Sequence, residues 1–332
     1  MSNELGLASP ALPAYFLYPV AILSLLIILF VMARVRDRAG AFVIGASWLR
    51  YVMSAFHTIT YRPLAAGMSA NALASMGLVI VGLMNINLRH LQLRFLLPFY
   101  VLMALAIISA LANGGFTSGL VTVLSKHAYL VVIILSVYGA MTRARGGDFM
   151  ASMLWSFLPV FIWQLMSIVF GYGKMTETDV NSMSYIGGYN HEAAFSVTLA
   201  TCLTAACFAT GIQKQLKFGV IVICVVGIFL ANYRTTLVAI APLLITYLAA
   251  SSLGRFPLRT LGVTSLFVYW VHIELVYGLI ARPLKQALGF TEWAVAFVLL
   301  TLFMAAAAEA RVRVPIALGN RRRHTARSPR TP

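Results

Sequence analysis

The fold is decided by residues 13–38, which read PAYFLYPVAILSLLIILFVMARVRDR. The first 21 of them carry no charge, and three arginines follow at once: Arg34, Arg36 and Arg38. An α-helix needs about 20 apolar residues to cross a bilayer, and positive charge accumulates at the cytoplasmic end of such a helix. The stretch therefore predicts a membrane-spanning helix that starts from a periplasmic N-terminus.

The composition of the whole chain agrees with this prediction. Of 332 residues, 61% are hydrophobic and 10% are charged, and the mean hydropathy is +0.87. A soluble domain carries about 25% charged residues. The net charge of +16 does not indicate nucleic-acid binding, because the Lys and Arg residues lie in short connections and in the C-terminal tail. We predict an all-α, multi-pass membrane protein whose partners include membrane lipids and exclude nucleic acid.

Further apolar runs follow along the chain, giving about eleven predicted membrane-spanning helices. The predicted spans are residues 13–33, 41–58, 68–87, 95–113, 119–141, 150–171, 191–211, 217–232, 235–253, 261–280 and 292–310. This division places 18 Lys and Arg residues on one side and five on the other, which predicts a cytoplasmic C-terminus. The basic tail, residues 313–332, is predicted to be disordered.

Four basic side chains attract attention because they lie at or near membrane depth. Arg50 falls within the second span, Lys126 and His127 fall within the fifth, and Arg62 follows the second on the outer side. Intramembrane charges usually face a cavity or pair with one another. Acidic residues are scarce in the outer half of the predicted protein, which favours an anion-attracting cavity. Structural pairing between helices is the alternative.

The first motif opens the seventh span on the outer side, at Asn190, His191 and Glu192. Histidine titrates near neutral pH, so His191 could act as a base or donate a hydrogen bond. In the alternative interpretation, Asn190 caps the helix and Glu192 interacts with the helix dipole. That alternative leaves His191 unexplained.

The second motif lies at the outer junction of the eighth and ninth spans, in residues 231–236, ANYRTT. The connection there is very short, which holds Arg234 close to the bilayer. A guanidinium in this position could bind a phosphate through two hydrogen bonds. The alternative is an arginine that extends to lipid headgroups.

The two motifs together resemble elements of the bacterial O-antigen ligase and polymerase superfamily. Residues 187–193, GGYNHEA, are similar to its G…N-H-x-A element, and residues 232–236, NYRTT, to its S-R-[GT]-[AT] element, with Tyr233 in place of Ser. The resemblance covers residues 13–253. It implies a metal-independent enzyme, without cofactors, that moves an undecaprenyl-diphosphate-linked saccharide at the periplasmic face of the inner membrane. The products would be O-antigen or exopolysaccharide.

The resemblance also implies roles for individual residues. Arg234 would hold the diphosphate leaving group, and His191 would act as the base or orient the acceptor. Arg50, Arg62 and Lys126 match no motif of the superfamily, and their charge alone predicts that they attract the phosphates. The complete set predicted to bind substrate is Arg50, Arg62, Lys126, His127, Asn190 and Tyr233. No metal ligand is predicted.

A second resemblance concerns the C-terminal part. Residues 256–272, FPLRTLGVTSLFVYWVH, are similar to the L-R-x-L-G-[RK]-x-S-L-x-x-Y-x-x-H end of membrane acyltransferases of the heparan-α-glucosaminide N-acetyltransferase type. The chain then divides into residues 1–253, an acyltransferase-like helix pair at 254–312, and the tail. Two alternatives stay open: an acyltransferase that modifies a cell-surface sugar, and a non-enzymatic subunit bound to membrane protein partners. The short outer loop favours the second, because the superfamily usually has a much longer one.

Overall fold

The computed structural model describes residues 12–65, 68–112, 118–143, 146–175 and 182–233, and then 235–237, 239–241, 243, 244 and 247. The chain forms two compact units, Met1–Ala239 and Ile240–Pro332. Almost all described residues belong to the first unit. Most of the predicted ninth span, the helix pair at 254–312 and the tail at 313–332 lie outside the described residues.

Helices account for most of the described residues. They are α1 (Ala14–Arg34), α2 (Arg38–Ala55), α3 (His57–Thr60), α4 (Ala70–Leu83), α5 (Leu97–Ala112), α6 (Ser118–Arg143), α7 (Gly146–Met153), α8 (Leu158–Val169), α9 (Glu192–Phe208) and α10 (Lys214–Leu230). Short 3-10 turns cover Leu88–Gln92, Arg94–Leu96 and Leu154–Phe157. Two antiparallel ribbons complete the set, β1 (Pro63–Ala65) with β2 (Met68–Ser69), and β3 (Lys174–Met175) with β4 (Met183–Ser184).

Several of these helices could cross a membrane. Four helical segments are long and apolar enough to do so, namely Ala14–Arg34, Arg94–Ala112, Gly119–Thr142 and Asp148–Val169. Shorter apolar helices occupy Ala70–Leu83 and Glu192–Phe208. The first eight predicted spans each coincide with helical structure. The prediction of a helical protein with membrane-spanning segments is confirmed at this level.

The helices are arranged so that the first unit has two distinct ends. At one, the hydroxyls of Tyr15 and Tyr172 lie 3.2 Å apart, and both β ribbons are found. We call it the loop end. At the other, Gly40 at the start of α2 faces Phe149, and Gly211 after α9 faces Asp148. We call it the basic end, because the connection between α1 and α2 carries Arg36 there.

Helix α2 forms the centre of the packing between α1 and α6. Ten of its 18 residues are buried. Its first turn is fixed by Asp37, whose carboxylate accepts a hydrogen bond from the Gly40 N–H at 2.8 Å, as expected of an N-cap residue. Ser69 caps α4 in the same way, through the Ala72 N–H at 3.3 Å. These two caps fix the residues at which α2 and α4 begin.

The sixth predicted span is not one continuous helix. A 3-10 turn at Leu154–Phe157 separates α7 from α8, and Pro159 occupies the first turn of α8. Proline has no N–H to donate and clashes with the preceding turn of a helix, but it is well suited to a helix start. The sequence pattern shows the apolar run and misses this break.

Candidate functional site

The described parts of the connection between α8 and α9, residues 170–175 and 182–191, lie against the helices. Strands β3 and β4 pair, and the Ser184 hydroxyl donates to the Lys174 carbonyl at 3.1 Å and contacts the Glu192 carboxylate at 3.1 Å. The Lys174 ammonium donates to the Asn190 carbonyl at 2.6 Å. A backbone with this many fixed partners holds the start of α9, and therefore His191, in one position.

His191 lies at the surface of the loop end, next to Asn190. It is the N-cap residue of α9, and its side chain does not cap the helix. The Asn190 amide nitrogen lies 2.9 Å from Nε2 of His191, which suits a neutral imidazole that accepts through Nε2. The interpretation of Asn190 as the helix cap is therefore wrong, since its side chain is directed to the imidazole. Glu192 occupies the first turn and is buried against Ser184.

Tyr189 packs the same loop against α9. Its side chain is 3% exposed, and its ring meets the Phe195 ring edge-on with centroids 5.1 Å apart. Burial raises the pKa of the Tyr189 phenol well above its ordinary value. The phenol therefore stays protonated at neutral pH, and its contribution is packing.

The end of α10 is attached to this loop. The Tyr185 N–H donates to the Leu230 carbonyl at 3.0 Å, and the Asn232 amide donates to the Ser182 hydroxyl at 2.7 Å. Asn232 follows the helix with φ of 55°, a left-handed conformation that asparagine tolerates at the end of a helix. These contacts bring the segment before His191 and the segment before Arg234 together. Arg234 itself lies outside the described residues, and its half-buried neighbour Tyr233 is the last described residue before it.

Two residues that the sequence analysis did not select support the loop from within the helices. Gln164 in α8 is 4% exposed, and its amide donates to the Tyr185 carbonyl at 3.0 Å and to the Gly227 carbonyl at 2.8 Å. His57 is 1% exposed, with Nδ1 lying 3.1 Å from the Gly188 carbonyl oxygen. In the sequence, Gln164 could have been noticed as a polar amide within an apolar run. Such a residue usually forms a contact between helices.

Arg50 lies deeper, between α2, α4 and α6. Its guanidinium donates to the side-chain oxygen of Asn71 and to the Ser75 hydroxyl at 3.1 Å, and lies 5.3 Å from the Tyr129 ring centroid. Asp37, Asp148 and Glu192 are the acidic residues among those described, and none pairs with Arg50. Within the part of the chain that the structure describes, these neutral partners orient the guanidinium without supplying a counter-charge.

Arg50 also lines an apolar groove of about 600 Å³ between α2, α6, α7 and α9. Arg50 lies towards the loop end of α2, whereas Val43 lies towards the basic end of the same helix. The rise of 1.5 Å per residue places Val43 about 10 Å from Arg50 along the axis of α2. The groove therefore runs along the helices, with a cation near one end and hydrocarbon along the rest.

The remaining predicted residues do not join this groove. Lys126 is exposed on α6, and Nδ1 of His127 lies 2.8 Å from the Val123 carbonyl of the same helix. Neither lines the groove, although Tyr129 from the same helix does. Arg62 is exposed at the loop end. The structure thus assembles two separate groups from the predicted set, Arg50 in the groove and Asn190 with His191 at the surface.

Among the described residues, no group of three or more His, Cys, Asp or Glu side chains could hold a metal ion. Fold and site together define a helical protein with several helices long and apolar enough to cross a membrane, a structured loop at one end and a cation in an apolar groove. Comparisons with protein-family models, curated proteins and solved structures find no match.

Proposed function

We propose that this protein transfers or polymerises a glycan carried on undecaprenyl diphosphate, at the periplasmic face of a bacterial inner membrane. In this proposal the chain spans the membrane about eleven times, from a periplasmic N-terminus to a cytoplasmic C-terminus. The loop end is then periplasmic. The observation that carries the proposal is Arg50 in its apolar groove.

The groove matches the chemistry of a polyprenyl diphosphate. An uncompensated guanidinium at membrane depth is costly, and an anionic ligand lowers that cost. Among the described residues Arg50 donates to neutral groups, and the groove beyond it is lined by residues such as Ile133 and Val197. The guanidinium and the apolar lining are both satisfied by a lipid whose anionic head lies towards the loop end and whose long hydrocarbon chain lies along α6 and α9.

We place the glycosyl-transfer step at the loop end. The acceptor hydroxyl oxygen bonds to the anomeric carbon, and the bond between that carbon and the diphosphate oxygen breaks. The diphosphate leaves with the bonding electrons, and Arg234 stabilises the charge that develops on it. The hydroxyl proton passes to Nε2 of the His191 imidazole, which the Asn190 amide holds in the resting site and releases when the acceptor binds. The fixed segments on either side of the site support this assignment.

The experiment is a complementation assay in cells that lack the gene. Surface glycan and undecaprenyl-linked intermediates are measured by mass spectrometry for the wild type, Arg50→Gln and His191→Ala. Arg94→Gln is the matched control, because Arg94 is exposed outside the groove. We expect Arg50→Gln and His191→Ala to reduce mature glycan at least tenfold and to accumulate intermediates. We expect the control to resemble the wild type.

A second variant separates loss of the charge from loss of folding. Ala200→Phe fills the groove and leaves Arg50 in place, so it should give the same accumulation as Arg50→Gln. All variants are compared at equal membrane levels. If deleting the gene changes neither glycan nor intermediates, the glycosyl-transfer proposal fails and a subunit role takes its place. The acyltransferase alternative rests on residues 256–272, which lie outside the described residues.

A further inference from the structure

The basic end contains a second and larger cavity, separate from the groove at Arg50. It has a volume of about 1000 Å³ and lies between α1, the start of α2 and α7. One wall consists of large apolar side chains that the protein leaves uncovered. Leu26 is 61% exposed, Phe30 57% and Trp155 50%. In a bilayer, side chains such as these face acyl chains, and tryptophan is favoured at the headgroup level.

The rim of this cavity carries charges of both signs. Arg34 and Arg36 are exposed, and the Arg34 guanidinium lies 4.3 Å from the Phe30 ring centroid. Two carboxylates also line the cavity. Asp37 caps α2 through the Gly40 N–H, whereas Asp148 is exposed in the first turn of α7. The rim thus offers two cations and one exposed carboxylate beside an apolar wall.

We propose that this cavity binds an aminophospholipid, whose headgroup carries both a phosphate and a primary ammonium. Its phosphate contacts Arg34 and Arg36, and its ammonium donates to Asp148. The acyl chains lie against Phe30 and Leu26. The inference concerns a lipid bound away from the loop end, and it stands whether or not the protein transfers a glycan.

The carboxylate distinguishes this lipid from the other common classes. A lipid with only a phosphate would satisfy the arginines but would place its own negative charge near Asp148. A choline headgroup has a quaternary nitrogen without N–H, so it cannot donate to the carboxylate. Of these classes, only a headgroup with a phosphate and a protonated primary amine matches both signs on the rim and also donates a hydrogen bond to Asp148.

The test measures lipid binding to the delipidated full-length protein by native mass spectrometry. Phosphatidylethanolamine, phosphatidylglycerol and phosphatidylcholine with identical acyl chains are compared. We expect phosphatidylethanolamine to bind about tenfold more tightly than phosphatidylcholine, since one charge-assisted hydrogen bond contributes at least that factor. Asp148→Asn should remove this preference. Arg34→Gln combined with Arg36→Gln should weaken binding of all three lipids.

The control is Arg89→Gln, because Arg89 is exposed between α4 and α5 and does not line the cavity. It should bind all three lipids like the wild type. Asp148→Glu retains the carboxylate and should still prefer phosphatidylethanolamine. This variant therefore distinguishes loss of the carboxylate from a folding defect. The proposal is overturned if Asp148→Asn still prefers phosphatidylethanolamine. Equal binding of the three lipids to the wild type, or tighter binding of phosphatidylglycerol, overturns it as well.

Discussion

Gln164 donates both of its amide protons from the middle of an apolar helix, one to the Tyr185 carbonyl and one to the Gly227 carbonyl. The Gly227 carbonyl also accepts from the Ala231 N–H at 3.0 Å, so it keeps a partner without Gln164. The Gln164 side chain also occupies the space beside Gly227 that a larger residue would need. A Cβ added to Gly227 would lie 2.6 Å from Oε1 of Gln164. One residue therefore joins α8, the loop before α9 and α10.

Gln164→Leu should destabilise the protein by about 1–3 kcal/mol, because the part-buried Tyr185 carbonyl loses this partner. Thermal unfolding in detergent would show the change as a lower Tm. Gln92→Leu is the matched control, since Gln92 is exposed at the basic end, and its effect should stay within about 0.5 kcal/mol. Equal Tm values for the two variants would contradict the role given to Gln164.

Asn232 allows a second prediction, because its conformation and its side-chain bond can be separated. Asn232→Gly accepts φ of 55° but loses the bond to Ser182, whereas Asn232→Ala loses the bond and is strained as well. The expected order of stability is wild type, then Gly, then Ala, with about 1 kcal/mol between Gly and Ala. Ser182→Ala should also lower the Tm, because it removes the same bond. An alanine variant as stable as the glycine variant would count against the left-handed conformation.

At the scale of single residues, a motif in the sequence identifies His191 and Asn190. It does not identify the residues that hold their loop in place. Gln164 and His57 act on Tyr185 and Gly188, which are distant in the chain. No local pattern reveals that the loop returns to these helices. Arg50 was found because a cation in an apolar run stands out, whereas its neutral partner Asn71 does not.

At the scale of helices, α4 packs closely against its neighbours through one glycine. A Cβ at Gly82 would overlap a Val132 methyl group and lie 2.8 Å from the Phe42 ring. Gly77 on the same helix has no other atom within 4 Å of the corresponding position. The two glycines therefore have opposite expected responses to the same substitution.

Gly82→Ala should lower the free energy of unfolding by about 1–3 kcal/mol, because the added methyl group overpacks the contact between α4 and α6. Gly77→Ala should raise it by about 0.5–1 kcal/mol through better helix propensity. Denaturation of the two variants in the same detergent measures both changes. Similar effects of the two substitutions on the free energy of unfolding would contradict the close packing of α4 at Gly82.

The helices themselves were largely predictable. Runs of apolar residues identify α1, α5 and α6 because length and hydropathy are properties of the local sequence. The division of the sixth span at Leu154–Phe157 depends on how Pro159 is accommodated. The two ribbons are only two or three residues per strand, which is too short for an alternating pattern.

For the whole molecule, the proposed orientation can be tested by labelling cysteines with a membrane-impermeant maleimide. The native thiols give little background, since Cys202, Cys207 and Cys224 are buried. Arg62→Cys is exposed at the loop end and should react in intact cells whose outer membrane has been permeabilised. Arg89→Cys, exposed at the basic end, should react only after the inner membrane is opened. The reverse pattern would invert the topology and place His191 in the cytoplasm.

The attachment of the loop to α10 has a consequence for the order of events during synthesis. Tyr185 bonds to Leu230, which is added 45 residues later. At about 5–20 residues per second, the loop is complete for about 2–9 s before its partner exists. During that interval the Tyr185 amide must be solvated by water or held by another protein. A nascent chain halted before α10 should therefore expose the segment around His191 to protease, and a chain halted after α10 should protect it.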